Sequence, residues 1–403
     1  MWCPNTVRLG IDISSLNISY RGGVYSFTLG LLKELQHASA GWKVILLVSG
    51  KQLGSLELLS SLSDCEVVVL KKNGGLLKVC DLVGMAFHNA RIAYQLRGFV
   101  SRYISKDSRV IEANCDLIFC PTTVLNFLDL KIPSVVSMHD IQQVHYPQFF
   151  SKFELRWREI RFEATVRARP RFQASSRFIA NDLVTNLPGL VPEQIEVIPE
   201  GVDTSEFVAS MSVQQKLKQK LILFPAHMWE HKNHLVILRA LNLLNREKID
   251  CKLIICGGYG PATPGALEYI KENRLGNVEV LGSIPRSDLV EYFRKAAVVI
   301  SPALYESSSL TVLEAVAANC QVVCSETGPN IEMSEFFDID LCDPADPTAF
   351  AQAMRLALTR DLYSAETITE QNRRALGRYT WQSVAREYWR YFDQIIKEEF
   401  TAS

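Results

Sequence analysis

Short, wholly apolar segments alternate along this chain with longer stretches in which apolar residues recur at helical spacing. Segments that are apolar on both faces are typical of parallel strands in a sheet that helices cover on both sides. The pattern therefore predicts an α/β protein with two doubly wound domains in tandem, one for each series of segments. The first series lies at residues 7–13, 43–49, 65–70, 115–121 and 133–140, and the second lies at residues 220–226, 251–258, 277–282, 297–304 and 320–325.

The break between the two predicted domains falls at residues 196–207, where a Pro/Gly turn interrupts the pattern of strands and helices. The chain then ends on a long amphipathic helix, residues 379–400, which no predicted strand follows. Ligands of open parallel sheets bind beyond the carboxyl ends of the strands. Two domains of this kind therefore predict a cleft with a ligand between them.

Composition narrows the class of protein. The 403 residues are 48% hydrophobic and 22% charged with a formal net charge of -1, so we expect large cores and no nucleic-acid partner. No apolar run approaches the ~18 residues of a membrane span, and residues 1–14 lack the apolar core of a secretory signal, so a cytoplasmic protein is expected. The ten cysteines have no CxxC spacing, and we expect reduced, buried thiols and no zinc site.

Two segments are candidate phosphate sites. Gly22 and Gly23 precede a helical stretch, where glycines allow backbone N–H groups to approach an anion; the alternative is a simple tight turn. Lys232 lies just before another predicted helix, for which Asn233 is the candidate N-cap. A cation beside a helix N-terminus opposes the helix dipole unless an anion lies between them. Lys232, together with His227, is therefore predicted to bind phosphate, the alternative being an ordinary surface lysine.

Glu306 and Glu314 form the most informative pair of candidate functional residues. Glu306 lies in a predicted strand-to-helix loop and Glu314 lies inside the helix, and on a single helix this spacing would separate them by about 12 Å. That exceeds the ~5–9.5 Å between paired glycosidase carboxylates. One extended ligand fits better, with a sugar at Glu306, a ribose at Glu314 and a phosphate at the helix-start N–H groups of Ser309, Leu310 and Thr311. Such a ligand is a nucleotide-sugar.

A polar pair, His139 and Asp140, ends another predicted strand. Side chains at the carboxyl end of a parallel strand point toward the ligand crevice. His139 is therefore predicted to contact a polar substrate. The alternative is a histidine whose ring nitrogens are satisfied by local hydrogen bonds.

Five motifs in chain order resemble those of the family 4 retaining glycosyltransferases with the GT-B fold, over nearly the whole chain. The resemblance implies two Rossmann-like domains facing a central cleft, with the C-terminal helix crossing back to the first domain. The implied acceptor-side domain is residues 1–200 with 383–403, and the implied donor-binding domain is residues 201–382. The motifs are "GGV" at 22–24, "HD" at 139–140, "IPEGVD" at 198–203, "HKN" at 231–233 and the E-x7-E pair at 306–314.

The resemblance also implies a role for each matching residue. Glu306 and His139 would contact the transferred sugar, Glu314 would bind the ribose, and Ile284 would lie against the base. Lysine and helix amides would replace a metal, and "DID" at 338–340, which resembles a DxD metal motif, lies away from the other motifs and is not expected to bind one. The diphosphate would be bound by Lys232, His227, the amides of Ser309, Leu310 and Thr311, and the Gly22–Gly23 loop of the other domain.

Two positions depart from the family pattern. His227 stands where the family usually has an arginine, which predicts weaker or pH-sensitive neutralisation of the diphosphate. The sequence ESSS at 306–309 replaces the usual EGFG, and serine restricts a backbone that glycine leaves permissive. We therefore expect the backbone to approach the donor sugar differently here.

Two basic stretches, residues 90–109 and 152–172, mix arginine with aromatic and aliphatic residues. Basic amphipathic helices can lie on anionic membrane surfaces, and the alternative is that these are solvated faces of helices packed on the first sheet. A lipid-linked acceptor would favour the membrane interpretation. Arg156, Arg158 and Arg161 are the residues predicted to lie on this acceptor and membrane side.

The overall prediction is a metal-independent, retaining hexosyltransferase without a cofactor. It would move a hexose, mannose-type or related, from a GDP- or UDP-linked donor to a saccharide or lipid-linked acceptor in cell-surface polysaccharide synthesis. It would act in the cytoplasm or as a peripheral protein at the inner face of the membrane. Two alternatives stay open: a nucleotide-sugar epimerase or hydrolase of the same fold, and a non-catalytic GT-B subunit that scaffolds a partner enzyme.

Overall fold

The structure is a computed structural model that describes residues 6–16, 22–37, 39–50, 52, 62, 64–71, 74–208, 219–360 and 372–402. The chain divides into two compact units. Unit 1 comprises residues 1–201 with 381–403, and unit 2 comprises residues 202–380.

Unit 1 is built on one sheet whose neighbouring strands all pair in parallel. Its strands are β1 (Val7–Asp12), β2 (Trp42–Ser49), β3 (Glu66–Leu70), β4 (Leu117–Cys120), β5 (Ser134–Ser137), β6 (Arg171–Ala174) and β7 (Ile195–Val197). They lie in the order β3-β2-β1-β4-β5-β6-β7. The sheet therefore grows outward from β1 in both directions, which defines a doubly wound fold.

Three helices of unit 1 begin after a residue whose side chain accepts from their first N–H groups: Asn89, Ser151 and Ser176. Ser151 and Glu154 form a capping box, in which Ser151 Oγ accepts from the Glu154 N–H at 3.2 Å and the Glu154 carboxylate accepts from the Ser151 N–H at 2.8 Å. The helices are α1 (Gly23–Leu35), α2 (Gly74–Ala86), α3 (Ala90–Phe99), which continues as a π-helix (Val100–Ile104), α4 (Asp107–Asn114), α5 (Gln142–His145), α6 (Lys152–Arg167), α7 (Arg177–Asn186) and the C-terminal helix α15 (Trp381–Ala402).

The C-terminal helix α15 is part of the core of unit 1. Its Tyr388 and Phe392 are fully buried in the cluster that also contains residues of β1, β2 and α1. Trp381, at its first turn, lies so close to Gly30 and Gly201 that a Cβ at either glycine would fall within 2.5 Å of the indole. Glycine at position 201 of the "IPEGVD" motif is therefore required by the packing of this helix.

Unit 2 contains the second parallel sheet. Its strands are β8 (Gln219–Pro225), β9 (Lys252–Cys256), β10 (Val278–Gly282), β11 (Ala296–Ser301), β12 (Gln321–Ser325) and β13 (Asp340–Cys342). They lie in the order β10-β9-β8-β11-β12-β13. The helices are α8 (Ser205–Val208), α9 (His234–Arg246), α10 (Thr263–Glu272), α11 (Arg286–Lys295), α12 (Leu310–Ala317), α13 (Gly328–Ser334) and α14 (Pro347–Thr359).

The predicted fold class, two Rossmann-like α/β domains with a C-terminal helix, is confirmed, and each predicted apolar segment contains a strand. Three strands were not predicted: β6, β7 and β13. They are short, and each includes a polar or charged residue, so none of them gives a wholly apolar run. All nine cysteines that the structure describes are free, and Cys65 is the one among them that is not fully buried.

Candidate functional site

The loop that follows β8 in unit 2 places Lys232 beside Glu306. A 3-10 turn ends at Lys232, and Asn233 then adopts the left-handed region at φ 58°. The sequence suggested that the Asn233 side chain caps helix α9, but it does not. Its amide instead donates to the carbonyls of Pro302, at 3.2 Å, and Pro344, at 2.7 Å. These bonds tie the Lys232 loop to the ends of β11 and β13.

Lys232 and Glu306 form an ion pair. Lys232 Nζ donates to Glu306 Oε1 at 2.7 Å, and the two side chains are 25% and 13% exposed. A backbone bond from the Leu304 N–H to the His231 carbonyl, 2.8 Å long, joins the loops that carry them. The predicted phosphate-binding cation and the predicted sugar-binding carboxylate are therefore in direct contact.

Glu314 is held by a second cation that the sequence analysis did not single out. Arg286 Nη1 donates to Glu314 Oε1 at 2.6 Å, while its Nε and Nη2 donate to Glu206 Oε2 at 2.9 and 2.6 Å. The guanidinium also lies over the Phe207 ring, 5.6 Å from its centroid. Burial raises the pKa of Glu314 above its ordinary value, although Arg286 opposes this rise. Ile284, predicted to lie against the base, packs partly buried against the core two residues before Arg286.

The start of helix α12 lies between the two glutamates. Ser309 is its N-cap and is buried, but its hydroxyl donates to the Asn330 side chain and does not cap the helix. The Leu310 N–H donates to the Ser308 carbonyl at 3.2 Å, so this predicted phosphate-binding amide already takes part in a turn. Thr311 is the second residue of the helix. To bind a phosphate, the Leu310 amide would have to exchange the Ser308 carbonyl for a phosphate oxygen.

His227 is positioned by the glycine pair that follows β9. The Gly258 N–H donates to His227 Nδ1 at 2.7 Å, which places the proton of the neutral ring on Nε2. Gly257, at φ 153°, allows this approach, since a Cβ there would lie 2.2 Å from the Ala226 carbonyl oxygen. Burial, reinforced by the charge of Lys232, lowers the pKa of His227. His227 is therefore a neutral hydrogen-bond donor at neutral pH.

The neighbouring histidines are also neutral. Burial and the charge of Lys232 lower the pKa of His231 to about 3 and that of His234 to about 4. His234 stacks on Phe224 at 4.4 Å between ring centroids. In the segment from 227 to 234, the positive charge therefore resides on Lys232.

His139, the candidate residue of unit 1, is buried and has partners on both ring nitrogens. Its Nε2 donates to the Pro121 carbonyl at 2.9 Å, and its Nδ1 lies 3.7 Å from Glu200 Oε1. Phe27 contacts the ring edge-on, at 4.8 Å between centroids. Burial alone lowers the pKa of His139, but Glu200, with smaller contributions from Pro121 and Asp140, outweighs it and leaves the pKa raised. Glu200, within "IPEGVD", is a partner that the sequence analysis missed.

Gly22 and Gly23 lie where the sequence placed them, at the start of α1. Gly22 is the N-cap residue, in an extended conformation, and is buried. Gly23 is exposed, and among the described residues no atom beyond its chain neighbours and its own helix backbone lies within 4 Å of the place a Cβ would take. Their contact with a diphosphate stays a prediction.

The prediction that Arg161 faces a membrane is wrong because this side chain is buried, at 2% exposed. Arg161 Nη2 donates to the Leu125 carbonyl at 2.8 Å, and Nη1 lies 3.8 Å from Asp81. Burial and the neighbouring charge of Arg97 lower the pKa of Arg161 to about 9. Helix α6 therefore turns this cation into the interior of unit 1.

Arg156 and Arg158 are partly exposed and already have partners. Arg156 pairs with Glu159 at 2.5 Å. The Arg158 guanidinium lies 4.7 Å from the centroid of the Phe150 ring, and its Nη1 donates to Gln143 at 3.2 Å. The guanidinium groups of both arginines, which were expected to meet an anionic surface, therefore already have partners within the protein.

The "DID" segment takes part in ordinary ion pairs. Asp340 begins β13 and accepts from Arg360 Nη2 at 3.0 Å, while Asp338 lies 3.8 Å from Arg360 Nη1. Over the residues that the structure describes, no group of three or more His, Cys, Asp and Glu side chains is arranged to hold a metal ion. Within the same residues, no helix is both long and apolar enough to cross a membrane.

Two family models match the chain, one for each half. Residues 21–206 match "Glycosyltransferase Family 4", and residues 209–375 match "Glycosyl transferases group 1". The chain therefore belongs to the family 4 (group 1) glycosyltransferases, and it has the GT-B fold.

Similar proteins agree with this assignment. The D-inositol 3-phosphate glycosyltransferase of Corynebacterium jeikeium is 29% identical over 219 residues, which cover 50% of this chain and 52% of that protein. The chain spans about half the length of the curated relatives it matches. A glycosyltransferase from Rickettsia africae has a similar structure, with TM-score 0.68 at 18% identity over 98% of this chain and all of that chain. Anabaena HepE, solved with UDP and glucose, gives a TM-score of 0.65 at 17% identity over 96% of this chain and all of that one. For these two solved structures, identities of 18% and 17% show the shared fold alone.

Proposed function

We propose that this protein is a retaining hexosyltransferase that takes its sugar from a nucleoside-diphosphate donor bound to unit 2. The observation that carries the proposal is the pairing of Lys232 with Glu306 at 2.7 Å beside the start of helix α12. A cation, a carboxylate and helix-start amides in one place are the groups that a diphosphate-linked sugar needs. Glu314, further along the same helix, adds a carboxylate for the ribose.

In this proposal the donor replaces ion pairs that are internal to unit 2. The diphosphate takes Lys232 as its counter-ion, and Glu306 then accepts hydrogen bonds from hydroxyls of the transferred sugar. Glu314 exchanges Arg286 for the ribose hydroxyls, which leaves Arg286 paired with Glu206. His227 contributes a neutral Nε2–H to the diphosphate. Lys232 and the helix amides stabilise the charge that develops on the leaving diphosphate, a role that needs no metal ion.

The proposed contact of His139 with the transferred sugar has a structural cost. Because both ring nitrogens have partners within unit 1, a sugar hydroxyl would have to displace the Pro121 carbonyl from Nε2. Glu200, beside Nδ1, would keep the ring oriented. We therefore propose His139 as a sugar contact and Glu200 as its positioning residue.

The proposed acceptor is a saccharide or a lipid-linked saccharide of a cell-surface polysaccharide pathway, met in the cytoplasm or at the inner membrane face. The donor is UDP- or GDP-linked. HepE, a structural neighbour, was solved with UDP and glucose, which supports including UDP-glucose among the donors tested.

The experiment is product analysis with UDP- and GDP-linked hexoses, with and without saccharide acceptors, preceded by a thermal-shift screen of the nucleotides. A ligand at 100 times its dissociation constant should stabilise the protein by about 2.7 kcal/mol. A glycosylated acceptor with retained anomeric configuration supports the proposal. Release of free sugar or of an epimerised nucleotide-sugar without acceptor would identify a hydrolase or epimerase, and ligand binding without turnover would identify a non-catalytic subunit.

A further inference from the structure

Helices α2 and α3 and the π-helix that follows them expose two apolar stripes on the surface of unit 1. Val79 and Leu82 lie on α2, about half exposed, and Phe87 follows it at 69%. On α3 and the π-helix, Leu96, Phe99 and Tyr103 recur at i, i+3 and i+7, which is one face of a helix, and the last two are 56% and 55% exposed. We call this region, residues 74–106, the hairpin surface. A monomeric soluble protein rarely exposes so many large apolar side chains together.

The opposite sides of these helices are firmly packed, so the exposure is a property of the folded hairpin. Arg97 Nη1 donates to both Asp81 oxygens, at 3.1 and 3.0 Å, and both side chains are buried. Gly84 lies so near Ala93 that a Cβ at Gly84 would be 2.6 Å from the Ala93 methyl group. Both helices also contact α6. The inner faces are thus fixed, and the apolar stripes lie on the faces left to solvent.

The charges on the hairpin surface have a single sign. Lys78, Arg91 and Lys106 are exposed. The one acid of this stretch, Asp81, is buried against Arg97, and Asp107, directly after it, is also buried and accepts from the Lys71 N–H at 2.9 Å. Over residues 74–106 no exposed acid accompanies the cations. The surface therefore combines exposed apolar side chains with uncompensated positive charge.

We propose that the hairpin surface docks this protein on an anionic lipid bilayer. Aromatic and aliphatic side chains would enter the headgroup region, and the three cations would pair with anionic headgroups, as amphipathic interfacial helices do. A second copy of this chain fits less well, because a symmetric contact would bring the same cations against one another. The inference deepens the proposed function, since it rests on a lipid-linked acceptor. It keeps most of the predicted basic stretch 90–109, adds α2, and leaves out Arg156, Arg158 and Arg161.

The test is co-sedimentation of the full chain with phosphatidylcholine vesicles that do or do not contain 30 mol% phosphatidylglycerol. Wild type should bind the anionic vesicles and should release as salt is raised from low to high concentration. Leu82→Asp and Phe99→Asp should each weaken binding at least tenfold. Arg91→Gln with Lys106→Gln should weaken it about 25-fold, at about fivefold for each basic residue. The control variants are Leu356→Asp, equally exposed but on α14 of unit 2, and Lys248→Gln with Lys271→Gln, also exposed in unit 2.

The outcomes separate this inference from the proposed function. Thermal melting and nucleotide binding should be unchanged in every variant, since none lies in the donor site. Equal binding to neutral vesicles, no binding at all, or loss in the controls as large as in the hairpin variants would overturn the docking proposal. So would a monomer–dimer equilibrium that the hairpin variants abolish, because it would make the surface an interface between copies. Failure to bind any nucleotide-sugar would refute the proposed function and leave the vesicle result standing.

Discussion

Replacing Glu306 by glutamine should separate the sugar contact from the nucleotide contacts. In the structure Glu306 neutralises Lys232 through a 2.7 Å ion pair. A diphosphate must compete with that carboxylate for Lys232. Glu306→Gln removes the competitor and keeps the shape of the side chain, so free UDP or GDP should bind at least as well as to wild type. Turnover should fall, because the amide is a poorer acceptor for the hydroxyls of the transferred sugar.

The size of the effect follows from the exposure of the pair. Lys232 and Glu306 are partly exposed, and ion pairs near a protein surface are worth about 0–1 kcal/mol. Releasing Lys232 should therefore leave nucleotide affinity unchanged or tighten it by up to about fivefold. Glu314→Gln should do the opposite. Losing a hydrogen bond to a charged acceptor costs about 1.5–3 kcal/mol, so free nucleotide should bind about 10- to 150-fold more weakly.

Isothermal titration calorimetry with UDP and GDP, followed by initial-rate measurements with the matching sugar donors, tests the contrast. Glu291→Gln, on helix α11, is the control: Glu291 pairs with Lys295 at 3.1 Å outside the candidate site, and its loss should change neither quantity. A Glu306→Gln variant that binds UDP ten times more weakly than wild type, beside a Glu314→Gln variant that binds it normally, would refute these assignments.

Three further predictions follow from the same groups. In the proposed site Lys232 and helix amides supply the phosphate contacts, so EDTA should leave UDP or GDP binding by calorimetry unchanged, and loss of binding that Mg²⁺ restores would contradict this. Because a bound diphosphate should raise the lowered pKa of His227, nucleotide affinity should strengthen as pH falls from 8 toward 5.5, and His227→Gln should remove that trend; the same slope in both proteins would assign it to the phosphate. Because Glu200 raises the pKa of folded His139, its contribution is complete below the unfolded pKa of about 6.5 and is lost as pH rises through the folded value. Glu200→Gln should therefore destabilise the protein by about 3 kcal/mol at pH 6, as the loss of one partner of a buried ion pair does, and by less at pH 9 in urea unfolding; an equal loss at both would contradict the charged pair.

Most of the strands that the sequence predicts are buried on both faces, whereas β3 and β10, at the edges of the two sheets, are partly exposed. Val44 to Val48 of β2 and Val298 to Ile300 of β11 are apolar at every position, and the structure buries all of them. Strands β6 and β13 contain polar residues whose bonds depend on the fold. Gln173 of β6, for example, is buried because its amide donates to the Ile198 carbonyl. A local sequence pattern cannot predict this hydrogen bond, because the two residues are 25 positions apart in the chain.

In the candidate site, too, some residues could be predicted from the local sequence and others only from the contacts that form on folding. Lys232, Glu306 and Glu314 could be proposed from motif spacing, because each lies in a loop or a helix whose type the local sequence determines. Arg286 and Glu200 could not, since their importance comes from the side chains they meet after folding. A signal for Arg286 was its place two residues after Ile284, at the start of α11. Arg161 was wrongly assigned because arginines on an amphipathic helix look alike in sequence, whereas one buried aspartate, Asp81, draws this one inward.

In unit 2 the cations of the candidate donor site are already paired with carboxylates, so donor binding need not depend on an additional cation at position 227. Lys232 and Arg286 supply positive charge, yet three carboxylates, those of Glu206, Glu306 and Glu314, already accept from them. A diphosphate therefore does not meet a surplus of cations, and its affinity cannot rest on net attraction. In the proposed binding mode the affinity comes from exchange: each carboxylate releases its cation as it gains a sugar or ribose hydroxyl, and the diphosphate takes the released Lys232. Such a site would discriminate against phosphate alone, because inorganic phosphate would take Lys232 from Glu306 and give that carboxylate no donor in return. A whole nucleotide-sugar would give Lys232, Glu306 and Glu314 partners at once, which is a further reason to propose it as the ligand.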